Sequence, residues 1–204
     1  MSANVSGTEG YVEQAAALIE RWRTLSFGDR HRPILDWIPQ APSRIVDIGA
    51  GIGTDAAALA AMGHTVLAVE PVDALRNAAR ELHASTRIEW LDDSLPDLAV
   101  VLAKSKRITF DVVMLTAVWM HLDARQRERA MPRVASLLRD GGVLIMSLRH
   151  GPVPAGRRMF DVTPDETIRL ASEQGLRLVR ELRTPSVQKA NRDSGVTWTR
   201  LVFR

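Results

Sequence analysis

From residue 43 to residue 150 the chain alternates short apolar runs with segments of helical period, and this alternation constrains its fold more than any other feature. Five apolar runs have the length of a β-strand, at 44–49, 65–70, 87–91, 110–116 and 143–149. Segments of helical pattern or length separate them. Short apolar strands joined by amphipathic helices are typical of a parallel sheet covered on both faces. The sequence therefore predicts a doubly wound α/β fold with five parallel strands.

The two ends of the chain differ from this pattern. Segments 175–183 and 196–204 alternate apolar and polar residues, which predicts an antiparallel hairpin at the sheet edge. The opening residues look helical, with an apolar stripe at Val12, Ala16, Ile19 and Trp22. A second short helix is expected from Pro33, and Pro132 predicts a kink or a late start in the helix before the fifth strand. We expect a helical cap over 1–42 and a main unit over 43–204, within one structural domain.

The composition fits a single folded domain. The chain has 204 residues, of which 46% are hydrophobic and 25% charged, and a core of this size can be well buried. Cysteine is absent, which excludes disulfides, thiolate metal sites and cysteine nucleophiles. No apolar run approaches the roughly 20 residues of a membrane span, and no secretory signal is evident. We therefore expect a cytoplasmic protein with no membrane partner.

The charge is distributed unevenly along the chain. Residues 1–124 carry a net charge of −5 and residues 125–204 a net charge of +8, for a total of +3. A basic half can bind a polyanion such as RNA. All but three of the cations are arginine, so a general compositional preference for arginine explains the same excess. Nucleic-acid binding is therefore a secondary hypothesis, and the sequence does not specify an oligomeric state.

A glycine-rich turn follows the first predicted strand. Gly49, Gly51 and Gly53 have the spacing G-x-G-x-G, whereas the dinucleotide fingerprint is G-x-G-x-x-G and would place its third glycine at Thr54. No Gly-Lys-Ser/Thr follows, so the turn is not a Walker loop. Asp47 at the end of the strand adds negative charge where a pyrophosphate would be repelled. The pattern disfavours NAD and favours a cationic, amino-acid-like ligand.

A second acidic residue marks the end of the next strand. Glu70 stands 21 residues after Gly49, where a carboxylate can accept hydrogen bonds from both hydroxyls of a ribose. A solvated strand-end carboxylate is the simpler alternative. The two acids and the glycine turn together predict a nucleoside-containing ligand at one edge of the sheet.

Four segments resemble motifs of the class I S-adenosylmethionine-dependent methyltransferases. They are VDIGAGIGTDAAALAAMGHTVLAVEP at 46–71, WLDDSLPDL at 90–98, FDVVMLTAVWMHLD at 110–123 and RVASLLRDGGVLIMSLR at 133–149. They occur in the family's order, and His121-Leu122 is similar to a pair found in its small-molecule group. The resemblance implies a Rossmann-like sheet of seven strands.

The resemblance also implies that S-adenosylmethionine is the cofactor. The residues that it assigns to cofactor binding follow four strands: Asp47, Gly49, Ala50, Gly51, Gly53, Glu70, Pro71, Val72, Asp92, Asp93, Ser94, Thr116 and Ala117. Asp47 would bind the amino group and Glu70 the ribose hydroxyls. Asp93 is favoured over Asp92 for the adenine amino group, although a shift of one residue in register would reverse the choice. Thr116 and Ala117 would lie near the sulfonium.

Three residues are candidates for the chemistry. Methyl transfer is an in-line displacement, which alignment and desolvation can accelerate, but a protonated nucleophile also needs a base. His121 follows the fourth strand, and Arg149 and His150 follow the fifth. Histidine is the usual base near neutral pH, and arginine can orient an anionic acceptor. His121 could instead hold a loop, and Arg149 could pair with an acid.

Four further residues are candidates for contact with the substrate. Tyr11, Trp22 and His31 belong to the predicted cap, and Trp119 follows the fourth strand, where an aromatic ring could stack on an acceptor. Core packing is the alternative for each of them. No cluster of acidic, amide and histidine side chains has the spacing of a metal site.

The leading hypothesis is a methyltransferase that acts on an oxygen or nitrogen atom of a small molecule. No Asn/Asp-Pro-Pro-Tyr/Phe follows the fourth strand, which argues against amino-group methylation of adenine or glutamine. RNA or a protein side chain is the alternative acceptor. A protein that binds S-adenosylmethionine for regulation, without catalysis, is an alternative of another class.

Overall fold

The computed structural model describes residues 5–105 and 108–204, and its centre is a seven-stranded sheet. The strands are β1 (Arg44–Ile48), β2 (Thr65–Val69), β3 (Ile88–Leu91), β4 (Phe110–Thr116), β5 (Leu138–His150), β6 (Leu178–Pro185) and β7 (Thr197–Phe203). Their order is β3-β2-β1-β4-β5-β7-β6. Strands β1 to β5 pair in parallel, and β7 is antiparallel to both β5 and β6. The predicted Rossmann-like sheet with its terminal hairpin is confirmed.

Helices cover both faces of this sheet. They are α1 (Ala15–Trp22), α2 (Phe27–His31), α3 (Thr54–Ala61), α4 (Asp73–Leu82), α5 (Ala99–Ser105), α6 (Ala124–Ser136), α7 (Pro164–Ser172) and α8 (Lys189–Asp193). Short 3-10 helices span Arg32–Trp37 and Trp119–His121. In the part of the chain that the structure describes, every helix is too short or too polar to cross a membrane.

Successive side chains of each strand point to opposite faces of the sheet, and a hydrophobic core lies on each face. In β4, Val113 and Leu115 point into the core shared with α5, α6 and α7. Their neighbours Val112 and Met114 point into the opposite core, with residues of α2, α3 and the first 3-10 helix. Successive strand residues face opposite sides of a sheet, so a fully buried strand is apolar at every position. This explains why the strands read as continuous apolar runs.

The helical cap differs in detail from the prediction. Its first four residues lie outside the described residues. Helix α1 begins at Ala15 and buries Ala15 and Leu18, whereas Val12 is 59% exposed and precedes the helix. The predicted stripe is half right: Ile19 and Trp22 pack against the cluster that includes Ala15, whereas Ala16 is exposed. Ser26 caps the unpredicted helix α2, and Pro33 lies at the start of a 3-10 helix rather than an α-helix.

Helix α6 runs through Pro132, so the predicted late start is wrong. Asp123 and Gln126 form a reciprocal capping box that fixes the first turn at Ala124. Pro132 cannot donate an i→i−4 hydrogen bond. Buried residues on either side of it, Met131 and Val134, hold the helix against the core.

The strand order places a ligand site at one edge of the sheet. From β1, the chain proceeds outward through β2 and β3, and then crosses to β4 on the other side of β1. In open α/β sheets, ligands bind beyond the carboxyl ends of the strands, where the order reverses. The loops after β1, β2 and β4 meet at this point.

Candidate functional site

A cavity of about 540 Å³ lies at the carboxyl ends of the parallel strands, beneath the helical cap. Fourteen of the residues singled out in the sequence line it: Tyr11, Trp22, Gly49, Ala50, Gly51, Glu70, Pro71, Val72, Asp93, Ser94, Thr116, Ala117, His121 and Arg149. Six others do not: His31, Asp47, Gly53, Asp92, Trp119 and His150. The fold thus gathers the ends of β1 to β5 and one face of the cap around a single space.

The glycines of the turn have two different functions. A Cβ on Gly49 would overlap Val118, and a Cβ on Gly53 would overlap the Trp90 ring. Close packing therefore requires glycine at both positions. Gly51 has φ +58, and a Cβ there would meet only the Trp22 ring, at 3.5 Å. Gly51 therefore faces the cavity, and Trp22 of the cap lies above it.

Glu70 is a hydrogen-bond acceptor at the end of the cavity formed by the glycine turn. Its two carboxylate oxygens accept the backbone N–H groups of Gly51 and Val72, each at 2.8 Å. Burial raises the pKa of the Glu70 carboxyl to about 7, although these two hydrogen bonds act to lower it. A carboxylate oxygen has more than one lone pair, so the side chain can still accept two adjacent hydroxyl groups.

Asp47 lies behind the glycine turn and not on the cavity wall. It is buried, and its Oδ2 atom has no hydrogen-bond partner among the described residues. Burial, with the charges of Asp55 and Glu70, holds the pKa of the Asp47 carboxyl well above its usual range. Asp47 is therefore not among the residues that line the cavity, and its contact with a ligand stays a prediction.

His31 belongs to a buried ion-pair cluster. Its Nε2 atom is 2.7 Å from Asp55 Oδ2, and Arg30 donates to Asp55 Oδ1 at 3.1 Å. Burial alone would raise the pKa of the Asp55 carboxyl, but His31 and Arg30 lower it below its usual range. This cluster ties α2 to the start of α3. The placement corrects the expectation of a substrate contact, because the His31 ring is engaged by Asp55 away from the cavity.

The two aspartates after β3 have separate environments. Asp93 lines the cavity, and its carboxylate accepts the backbone N–H groups of Ser94, Val100 and Val101 at 2.8–2.9 Å. It thereby caps the start of α5. The Asp92 side chain is 50% exposed and lies 3.4 Å from Arg76. Of the two, Asp93 is the one that the structure places at the cavity.

A tyrosine and a histidine form a hydrogen-bonded pair in the cavity wall. His121 Nδ1 lies 2.8 Å from the Arg158 carbonyl oxygen, which can only accept, so this nitrogen carries the proton. Nε2 then accepts from the Tyr11 hydroxyl at 3.0 Å. Burial lowers the pKa of His121 and raises that of Tyr11, so both side chains are neutral at pH 7. A neutral histidine with a fixed tautomer can accept a proton.

The backbone beside this pair is held in an uncommon conformation. Ala117, the residue after β4, has φ +62, and its N–H donates to Ser147 Oγ at 2.9 Å. Non-glycine residues in this region cost free energy and cluster at functional sites. Thr116 and Ala117 therefore present a fixed surface to the cavity.

Two predicted catalytic or substrate residues lie elsewhere. Trp119 is fully buried in a core cluster, where its indole has no access to the cavity. His150 Nε2 pairs with Thr199 Oγ1 at 2.8 Å, across β5 and β7. Both placements correct the expectation of a ligand contact, because each side chain points away from the cavity.

The sequence reasoning did not single out Trp198 and Arg200, which also line the cavity. Both follow the alternation of β7 and therefore share one face of the sheet. That alternation was visible in the sequence. Which face of the hairpin would meet the cavity was not, since it depends on how β7 pairs with β5.

Comparison with known proteins places this site in a family. A model described as a methyltransferase domain matches residues 45–142. An uncharacterised methyltransferase of Mycobacterium bovis is 30% identical over 138 residues, which are 59% of this chain and 51% of that protein. The demethylmenaquinone methyltransferase of Clavibacter sepedonicus is 31% identical over 129 residues, 61% of this chain and 49% of that protein. The chain spans about half the length of the curated relatives it matches.

Solved structures share the fold over nearly the whole chain. Magnesium protoporphyrin IX methyltransferase from Synechocystis, crystallised with S-adenosylmethionine, superposes with a TM-score of 0.70 at 16% identity, over 100% of this chain and 98% of that one. A TehB-like methyltransferase from Corynebacterium glutamicum gives 0.68 at 20% identity, over 94% and 97%. Sequence motifs, domain match and topology agree. Residues 45–142 match a methyltransferase domain, and the chain as a whole has the fold of S-adenosylmethionine-dependent methyltransferases.

Proposed function

We propose that this protein transfers a methyl group from S-adenosylmethionine to an oxygen or nitrogen atom of a small-molecule acceptor. One observation carries the proposal. A single cavity joins the glycine turn and the Glu70 carboxylate to the neutral Tyr11–His121 pair. A nucleoside-binding end and a proton-accepting end therefore share one space.

The residues at the first end fit the cofactor. Gly51 leaves room above the turn, Glu70 can accept two adjacent ribose hydroxyls, and Asp93, which the family resemblance assigns to the adenine amino group, lines the same cavity. When bound, S-adenosylmethionine supplies a methyl group activated by its sulfonium.

The residues at the other end would act on the acceptor. His121 Nε2 would take the proton of the nucleophile once the acceptor replaces the Tyr11 hydroxyl as its hydrogen-bond partner. The Arg158 carbonyl stabilises the resulting imidazolium by accepting from Nδ1. Trp22 and the loop that carries Arg157 line the cavity, and they would help to exclude water once the ligands are bound.

The size of the cavity supports a small acceptor. About 540 Å³ lies within the range of small-molecule pockets, roughly 300–1,000 Å³. Fold relatives include the 1,6-didemethyltoxoflavin-N1-methyltransferase of Burkholderia thailandensis, with a TM-score of 0.62 at 19% identity, over 94% of this chain and 88% of that one. The names of the Burkholderia and Synechocystis enzymes both refer to small molecules.

A label-transfer experiment tests the proposal. The protein is incubated with S-adenosylmethionine labelled in the methyl group and with cell extract separated into small-molecule, RNA and protein fractions. We expect label in the small-molecule fraction. The rate of methyl transfer should be about 10²–10⁴-fold lower in His121→Ala. His150→Ala is the matched control and should retain the rate, because His150 lies outside the cavity. Label confined to RNA or protein, or tight product binding without any transfer, would contradict the proposal.

A further inference from the structure

The cavity has an uneven distribution of charge. Its described lining includes two carboxylates, Glu70 and Asp93, both at the nucleoside end. It also includes five arginines: Arg21, Arg30, Arg149, Arg157 and Arg200. The cofactor residues discussed above account for both acids and for none of these arginines. The remainder of the cavity therefore carries an excess of positive charge, even though Arg30 is paired with Asp55.

Strand pairing brings two of the arginines to one face of the sheet. In the antiparallel ladder of β5 and β7, Ser147 is opposite Arg200 and Arg149 is opposite Trp198. Directly opposed residues share a face, as do residues two apart along a strand. All four residues line the cavity. Arg149 and Arg200 are thus held on rigid strands and aim into the same space.

Arg200 is a buried cation with an unused donor. It is 5% exposed, one Nη atom donates to the Arg30 carbonyl oxygen at 3.0 Å, and Nε has no hydrogen-bond partner among the described residues. Burial lowers the pKa of Arg200 to about 10, which leaves it charged at neutral pH. Asp55 compensates part of this charge but already pairs with Arg30 and His31. An uncompensated buried charge is costly, so an anion beside it would be stabilising.

Two neighbouring arginines add to this positive charge. Arg149 donates to the Gly151 carbonyl oxygen at 3.3 Å, and no carboxylate pairs with it in the described chain. Arg157 lies 3.7 Å above the Tyr11 ring, and its Nη1 is buried without a partner among the described residues. Burial is the largest cause that lowers the pKa of each guanidinium.

We propose that the acceptor is an anion and that Arg149 and Arg200 bind its carboxylate or phosphate group. This inference rests on the proposed methyl transfer. The planar guanidinium offers several donors to either oxyanion, which fixes the orientation of the ligand as well as its position. The anionic group would orient the acceptor within the cavity.

The backbones of the pair lie away from the glycine turn, although the Arg200 guanidinium reaches the Arg30 carbonyl oxygen, close to the start of α3. Strand β7 is the third strand from β1 in the sheet, which places the two backbones roughly 14 Å apart. The glycine turn follows β1, and Glu70 follows β2 on the far side of it. The carboxylate of the cofactor is nevertheless a competing occupant, so the experiment must distinguish it.

Isothermal titration with three probes tests the proposal. Benzoate, phenyl phosphate and the neutral benzamide are titrated into protein saturated with S-adenosylhomocysteine, and into protein without it. We expect at least one anion to bind at least tenfold more tightly than benzamide, and the tighter of the two identifies carboxylate or phosphate as the recognised group. Arg149→Gln and Arg200→Gln should each weaken that binding at least tenfold. Arg180→Gln, on the exposed side of β6, should not.

The remaining outcomes overturn the proposal. Absence of anion binding, equal binding of benzamide, or unchanged anion binding in both variants would do so. If S-adenosylhomocysteine blocks the anion and Arg200→Gln weakens S-adenosylhomocysteine tenfold, the pair binds the cofactor instead. If S-adenosylhomocysteine fails to bind at all, the proposed function fails, and the titrations without it still decide the anion site. If Arg200→Gln does not fold, Arg149→Gln at the half-buried position is tested alone. Weaker anion binding by this variant supports the proposal, and unchanged binding overturns it.

Discussion

Single residues in this cavity owe their protonation to burial. Glu70 and His121 both lie in surroundings that disfavour charge, so the carboxyl is harder to ionise and the imidazole harder to protonate. For His121 the consequence is a free base at neutral pH. For Glu70 it is a titration close to neutral pH, where a small change in pH alters the group that would bind the ribose.

Glu70 makes cofactor binding dependent on pH. Its ordinary pKa of 4.5 rises to about 7 in the folded protein, so ionisation costs folding stability; the cost is absent below about pH 4.5 and complete above about pH 7. Ribose hydroxyls donate to the ionised form. The affinity for S-adenosylhomocysteine should therefore fall as pH is lowered from 8 to 6, as measured by calorimetry.

Glu70→Gln should bind S-adenosylhomocysteine about tenfold or more weakly and without this dependence on pH, because a hydrogen bond to a charged group is worth about 1.5–3 kcal/mol. Glu89→Gln, an exposed carboxylate on β3, is the matched control and should keep both the affinity and its pH profile. A pH profile that persists in Glu70→Gln would assign the titration to another group.

The N-cap residue of helix α6, Asp123, is linked through Arg158 to His121, the proposed base. Asp123 accepts the Gln126 N–H at 2.9 Å through Oδ1, and its Oδ2 lies 3.3 Å from Arg158. The Arg158 carbonyl in turn accepts from His121. The start of this helix therefore positions the loop that fixes the histidine tautomer.

A pair of cap variants separates stability from positioning. Asp123→Ala should lower the free energy of unfolding by about 1 kcal/mol and also reduce the methylation rate several-fold. Thr163→Ala removes the equivalent cap of α7, a 3.1 Å hydrogen bond to the Glu166 N–H, and should cost similar stability with the rate unchanged. Denaturant unfolding and initial rates measure the two effects. Equal methylation rates in the two variants would show that Asp123 stabilises the helix without positioning His121.

At the scale of the whole molecule, part of the positive charge of the C-terminal half is turned inward. Arg149, Arg157 and Arg200 line the cavity, and Arg127 forms a buried pair with Glu166. Arg127 and Arg200 are buried, and Arg149 and Arg157 are half-buried. Part of the uneven charge of the sequence is thus directed at the cavity, where it favours a small anionic ligand.

The whole fold should respond to S-adenosylhomocysteine and not to NAD. A ligand at about 100 times its Kd stabilises the native state by roughly 2.7 kcal/mol. For a domain of this size, that raises Tm by about 5–10 °C. Differential scanning fluorimetry with both ligands at equal concentration measures the shift. A shift with NAD alone would contradict the interpretation of the glycine turn.

The sequence by itself determined the architecture, because strand and helix periods and the turn glycines are local properties of the chain. It also located Glu70 and the glycine turn, since both follow directly from a strand end. It predicted Ile19 and Trp22 on the packed face of α1 but missed Ala15 and Leu18, because burial depends on what the helix packs against.

Only the tertiary structure decided which side chains share the cavity. His31 and His150 resemble site residues in the sequence, yet one is bound to Asp55 and the other to Thr199. Arg200, by contrast, carries no local signal and enters the cavity through the register of β7 on β5. Residues distant in the chain meet only through pairing and packing, and burial then sets their charge.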